Sequence, residues 1–268
     1  MSAAPSELSA MDGDAQTAFY RSVLQSLAAA NVECLVGGAF AYATYTGIER
    51  NTKDLDLFLR PGHYGHAVEA LARDGFATEL AYPHWLGKVR HDDGFVDLIF
   101  NSGNGTTPVD DAWFEHAIPA HVLGLYAKIV PVEEMIWSKA FIMERERYDG
   151  ADVAHMLRDC AGAIDWPRLL RRFGDHWRVL LSHVVLFGFI YPGERAKIPA
   201  WLVATLLARL RDEVQAPVAI HTLCRGTLLS REQYLHDVHC QGYIDARLRP
   251  FGTMSAGDLA TWTDAIRE

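Results

Sequence analysis

Two stretches decide how the rest of the chain reads: Val36-Gly37-Gly38-Ala39-Phe40 and, after an interval, Lys53-Asp54-Leu55-Asp56-Leu57-Phe58. The first closes a short apolar run, Val32 to Val36, with two glycines, and Phe40 to Tyr45 then has one or two turns of helical character. A strand that stops at a glycine pair before a helix leaves bare backbone at a helix N-terminus, where anions are favoured. The second stretch reads as a strand, Leu55 to Leu59, with Asp54 at its entrance and Pro61-Gly62 at its end. Residues two apart on a strand share a face, so Asp54 and Asp56 present two carboxylates side by side. Such a pair repels itself unless a cation lies between. Magnesium, a hard ion that prefers oxygen ligands, fits a carboxylate pair.

Working outward, Phe95-Val96-Asp97-Leu98-Ile99-Phe100 carries an acid in the middle of an apolar strand. Burying that acid without a partner is costly. If this strand lies beside the Asp54/Asp56 strand, Asp97 joins the cluster, and three carboxylates suffice for two divalent ions about 3.5–4 Å apart. Around these strands, Ala15 to Ala30 reads as an amphipathic helix with Phe19, Val23, Leu24 and Leu27 on one face. Tyr64 to Arg73 is a second helix, stopped at Gly75. Phe76 to Ala81 and Trp85 to Arg90 are further strands, Asp93-Gly94 is a hairpin turn, and Asn101 to Pro108 is a flexible loop by composition.

Near residue 125 the pattern becomes helical. Pro131 opens a helix to about Glu144, with Glu133 and Glu134 in its first turn. Further helices are expected over Asp149 to Arg158 (Asp149 as N-cap), Trp166 to Phe173, Trp177 to Phe189, Ala200 to Val214, Arg231 to Cys240 and Ser255 to Arg267. The expected fold class is α+β. Residues 1–125 form a mixed β-sheet with flanking helices, and residues 126–268 form a mostly helical second domain.

Gly37-Gly38, then Asp54-x-Asp56, then Asp97 on a later strand resembles the nucleotidyltransferase superfamily that includes DNA polymerase β, in the manner of its small bacterial members. The resemblance covers about residues 30 to 100. It implies transfer of a nucleoside monophosphate from an NTP, such as ATP, to an acceptor hydroxyl, with release of pyrophosphate. It implies that Asp54 and Asp56 bind Mg²⁺ or Mn²⁺, and that Asp97 binds metal and helps deprotonate the acceptor. Gly37 and Gly38 would receive the triphosphate. Ala39 departs from the pattern by offering no hydroxyl. The smaller enzymes of the family include antibiotic nucleotidyltransferases, protein nucleotidyltransferases and toxins that modify tRNA, so the resemblance implies an acceptor among tRNA, proteins and small molecules, with room for a regulatory partner protein. Lys139, in Trp137-Ser138-Lys139, is the candidate lysine for the β- and γ-phosphates, ahead of Lys88, while Lys53 beside the acids balances their charge.

Two other readings stay open. A glycosyltransferase with a metal-binding Asp-x-Asp accounts for Asp54 and Asp56 but not for the glycine pair or Asp97. The other is a catalytically silent nucleotide-binding or interaction protein, against which the intact Asp54, Asp56 and Asp97 count. A calcium loop is disfavoured because Phe58 stands where a ligand is required. The net charge of −9 argues against a global basic field for long nucleic acid, and it suits a cationic small acceptor. A local basic groove for tRNA is compatible with it. Cys34, Cys160, Cys224 and Cys240 lie too far apart for a disulfide framework or a zinc ribbon. His236 and His239 read as surface histidines, and Trp113, Trp137 and Trp201 as packing residues. The longest apolar run, Val179 to Tyr191, falls short of the roughly 20 residues that span a bilayer, and the N-terminus lacks the features of a secretory signal. A cytoplasmic protein with no membrane partner is expected.

Overall fold

The computed structural model describes residues 5–91, 94–217 and 220–264, with side chains from residue 15 onward. Asp93 of the expected hairpin turn and the last residues of the expected C-terminal helix lie outside them. The chain divides into two compact units.

The first unit comprises residues 1–44, 48–102 and 108–131. Its elements are α1 (Pro5–Ala29), β1 (Leu35–Val36), α2 (Gly38–Thr46), β2 (Asp54–Phe58), α3 (Tyr64–Arg73), β3 (Ala77–Tyr82), β4 (Leu86–His91), β5 (Gly94–Ile99), α4 (Asp111–Glu115), β6 (Ile118–Val122) and β7 (Leu125–Ile129). Seven strands form one mixed sheet in the order β3-β4-β5-β2-β1-β7-β6. The β2–β5 and β1–β7 pairs are parallel and the others antiparallel.

Register fixes what each face of the sheet carries. Leu55 pairs with Val96 and Leu57 with Leu98, and all four are fully buried on one face. The opposite face changes character along the strands. At one end Leu86, Ile99 and Phe58 line up across β4, β5 and β2 and are buried. Two residues earlier along β5 and β2, the same row position holds Lys88, Asp97 and Asp56. The apolar end anchors the strands at that point, and the charged end is left partly open.

The strands β2 to β5 lie within a residue of their expected positions, whereas β1 keeps only Leu35–Val36 of the expected Val32–Val36 and α2 runs Gly38–Thr46 rather than Phe40–Tyr45. Helix α3 spans the expected Tyr64–Arg73 with Gly75 in the left-handed region that its stop requires. Phe19, Val23, Leu24 and Leu27 of α1 are buried as expected. Three differences stand out. Helix α1 begins at Pro5, ten residues ahead of the expected start at Ala15. Strands β6 and β7 are additions, because only one residue in each is buried and their apolar alternation is faint. The 101–108 segment is held rather than flexible: Asn104 donates to the Leu228 carbonyl, the Thr253 hydroxyl donates to the Gly105 carbonyl at 2.9 Å, and Thr107 is buried.

The second unit comprises residues 45–47, 103–107 and 132 onward. It holds α5 (Val132–Ala140), α6 (Gly150–Asp159), α7 (Trp166–Phe173), α8 (Trp177–Ile190), α9 (Ala200–Gln215), β8 (Leu223–Cys224), α10 (Leu235–Cys240), β9 (Ile244–Asp245) and α11 (Ala256–Asp264). Helix α5 stops at Ala140 rather than near Glu144. The chain there turns back on itself, with Met143 bridged to Tyr148 and Glu144 N–H donating to the Arg147 carbonyl at 2.8 Å. Asp149 takes the N-cap position of α6 without a side-chain bond to the helix, because its carboxylate is engaged by Lys139 and Arg147. Helix α8 buries Leu180, Val184 and Phe187 but leaves Val185 and Phe189 exposed, so it is apolar on both faces and packed on one. Among the described residues, no helix is long and apolar enough to cross a membrane.

Glu133 and Glu134 stand in the first turn of α5, as expected. Both are buried, and Glu134 accepts from Arg168 at 2.7 and 2.8 Å and from Arg172 at 2.7 Å. Arg168 also pairs with Glu133, whose other oxygen accepts from the Asp165 N–H at 2.6 Å. Removing one partner of such a cluster strands buried charge. Arg168→Met is expected to destabilise the protein by about 3–5 kcal/mol in urea denaturation. A loss under about 1 kcal/mol, the range of an exposed pair, would show that the cluster is solvated.

Candidate metal centre

Asp54, Asp56 and Asp97 each offer a carboxylate oxygen, and the three oxygens lie within 4.8 Å of one another. Among the described residues, they are the one cluster of three or more His, Cys, Asp or Glu donors that close. The cause is the parallel pairing of β2 with β5, which puts Asp56 directly beside Asp97, while the two-residue strand period brings Asp54 to the same face. All three are partly exposed, so the cluster opens to solvent. The donor set is all oxygen and all anionic, which suits a hard divalent cation.

Each acid is positioned by a neighbour. The Thr52 hydroxyl donates to the Asp54 carboxylate and accepts from the Asp54 N–H at 3.4 Å, fixing the strand entrance. Lys88, the cross-strand partner of Asp97 on β4, donates from Nζ to Asp97 Oδ1 at 2.7 Å. Burial pushes the Asp97 carboxyl above the ordinary carboxylate range and the Asp54 charge adds to this, while Lys88 and Arg90 pull against it without reversing it.

The glycine pair is built into the same site. The Gly37 N–H donates to the Asp56 carbonyl at 2.9 Å, continuing the β1–β2 ladder one residue past β1. Gly38 opens α2 with φ +52°, and a Cβ there would lie 1.7 Å from Asp56 Oδ2. A Cβ on Gly37 would lie 2.3 Å from the Phe58 ring. The sequence reading gives the missing side chains to an incoming triphosphate. In the structure the space over each Cα is filled by the protein itself: Phe58 over Gly37, and the Asp56 carboxylate over Gly38. That carboxylate therefore rests at the N-terminus of α2, whose partial positive charge offsets some of the repulsion among the three acids.

Tyr20 belongs to the surroundings of the site and was not singled out by its sequence. It is buried on α1, its hydroxyl accepts from Gln16 Nε2 at 2.8 Å, and burial together with the charges of Asp54, Asp56 and Asp97 pushes its pKa up to about 12. It is a neutral hydroxyl beside three carboxylates. A tyrosine next to Phe19 on an apolar helix face carries no signal of this in the sequence.

Lys139 lies on α5 of the second unit. Its ammonium reaches Asp149 at 2.9 Å and Asp152 at 2.8 Å. Burial works against its charge, and the two acids outweigh burial and hold it above the ordinary lysine range. His236 and His239 are exposed on α10, and neither belongs to a donor cluster. Trp113 is fully buried and stacked on Phe58 at 5.2 Å between ring centroids, in keeping with a packing role.

No family model matches the chain. No curated protein matches it. Among solved structures, the chain is similar to the lincosamide antibiotic adenylyltransferase LnuA with lincomycin bound, at 14% identity and a TM-score of 0.38 over 52% of this chain and 94% of that one. It is similar to ANT(2")-Ia in complex with adenylyl-2"-tobramycin, at 16% identity and a TM-score of 0.38 over 75% of this chain and 99% of that one. A third similar structure is an antigenic nucleotidyltransferase-like protein from Paracoccidioides brasiliensis, at 16% identity and a TM-score of 0.34 over 75% of this chain and 88% of that one.

Proposed function

We propose that the chain is a nucleotidyltransferase that moves a nucleoside monophosphate from an NTP to an acceptor hydroxyl and releases pyrophosphate. The observation that carries this reading is the register of β2 and β5, which gathers Asp54, Asp56 and Asp97 at the mouth of a strand–Gly–Gly–helix turn. Asp54 and Asp56 hold a divalent cation, Mg²⁺ or Mn²⁺. When bound, that cation neutralises phosphate oxygens and lowers the cost of forming the acceptor alkoxide.

The chain's own residues do the rest by placement. The N-terminus of α2, opened by Gly38 beside the Asp56 carboxylate, favours the anionic triphosphate arriving with the cation. The acceptor oxygen forms a bond to the α-phosphorus, the bond from that phosphorus to the bridging oxygen breaks, and the pair of electrons leaves with pyrophosphate. Asp97 accepts the acceptor's proton at a carboxylate oxygen. Phosphate contact by Lys139 is a further proposal, and its ammonium would have to be shared with Asp149 and Asp152. The net charge of −9 favours a cationic small molecule as acceptor over a long polyanion.

The test is incubation of the purified chain with each α-labelled NTP, Mg²⁺ or Mn²⁺, and an extract of RNA, protein and metabolites, with Asp54→Ala/Asp56→Ala as the control. Label in one class of product that disappears in the control supports the reading and identifies the acceptor class. No label with any NTP, in a protein that still binds nucleotide, favours the silent binder instead. Transfer of sugar from a nucleotide-sugar, absent in the control, would favour the glycosyltransferase.

A further inference from the structure

The site's net charge does not match that of three free carboxylates. Across the sheet, Lys88 on β4, Asp97 on β5 and Asp56 on β2 form one straight row of cross-strand partners. Lys88 is held in that row twice, by the 2.7 Å bond to Asp97 Oδ1 and by the Phe95 ring, whose centroid lies 4.0 Å from the ammonium. Its side chain is only one-fifth exposed and that of Asp97 less, so the pair is poorly screened. With Lys88 counted, three acids carry a net charge of two, which one divalent ion neutralises. Asp97 Oδ1 is taken by a fixed cation, so a second divalent ion at Asp97 would bind through Oδ2, directly beside that charge.

We propose that Lys88 replaces the second metal ion: the site holds a single divalent cation on Asp54 and Asp56, and the ammonium occupies the Asp97 side. This deepens the proposed function and rests on it. A lysine at this point supplies fixed positive charge beside Asp97 whatever the metal concentration, which a second, exchangeable ion does not.

The test counts bound Mn²⁺ on the full chain by the loss of the free-ion electron paramagnetic resonance signal, first without nucleotide and then with an α,β-methylene NTP analogue, subtracting the ion carried by the analogue alone. The wild-type chain is expected to bind one Mn²⁺ without nucleotide. Lys88→Met is expected to bind a second Mn²⁺, or the first about tenfold or more tightly, because a unit of opposing charge is gone within a partly buried cluster. Lys88→Arg keeps the charge and is expected to retain the single site. Lys88→Gln serves if the methionine variant fails to fold, and the wild-type count needs no variant at all. Two ions on the wild-type chain, or a folded neutral variant with unchanged count and affinity, overturns the inference and leaves the proposed function standing. No Mn²⁺ on the wild-type chain with or without nucleotide overturns both.

Discussion

Asp56→Ala loses nucleotide transfer by roughly a thousandfold or more, the scale of removing a group that stabilises transition-state charge directly. The variant stays folded, and without metal its thermal midpoint is unchanged or higher than that of the wild type. Both halves follow from one geometry. The Asp56 carboxylate is a member of a cluster whose oxygens lie within 4.8 Å, with Asp97 as its direct cross-strand partner. Bound metal turns that crowding into affinity. In the metal-free protein the same crowding is repulsion, offset only in part by Lys88 and by the N-terminus of α2. The side chain is partly exposed, and the sheet beneath it is held by Leu55 and Leu57 on the other face. Truncation therefore removes little packing. The paired measurement is initial rate with labelled NTP alongside calorimetry in chelator. A folded variant that retains metal-dependent transfer would falsify the site, and a large loss of stability would mean that the carboxylate is structural.

How much of this was legible beforehand depends on how local the signal was. Asp54 and Asp56 share a face by strand period alone, so their pairing needed no tertiary information. Asp97 was conspicuous as an acid inside an apolar strand, but its place beside Asp56 depended on β2 and β5 being parallel neighbours, which no spacing in the sequence states. Lys88 was visible only as one lysine among several, because its importance comes from a register between β4 and β5. Glu133 and Glu134 read as first-turn acids since burial by Arg168 and Arg172, more than thirty residues away, leaves no local trace. Strands β6 and β7 were missed for the opposite reason: they are mostly solvated, and half-exposed strands write a weak alternation. The glycine pair was noticed, but the side chains filling the space over it belong to β2 and are non-local.

That last point gives the second large prediction. Gly38→Ala is expected to cost about 1–2 kcal/mol of stability from the left-handed backbone alone, since Gly38 has φ +52°. It also drives a methyl group to 1.7 Å from Asp56 Oδ2 and 3.1 Å from Asp56 Cβ, so the carboxylate has to rotate out of the cluster. Displacement of a metal ligand by an ångström or so is expected to lower transfer about a hundredfold or more. Gly37→Ala is the informative comparison. Its methyl meets the Phe58 ring, which is stacked on the buried Trp113, so it destabilises through packing with Asp56 left in place. The two variants should then separate, Gly37→Ala losing mainly stability and Gly38→Ala losing activity out of proportion to stability. The clash can be isolated with a double-mutant cycle. In an Asp56→Ala background the methyl at position 38 no longer meets a carboxylate, so the stability cost of Gly38→Ala falls to the backbone part alone. Equal costs in both backgrounds would mean that Asp56 moves aside freely, and that Gly38 is glycine for its backbone conformation and not for the acid that rests on it.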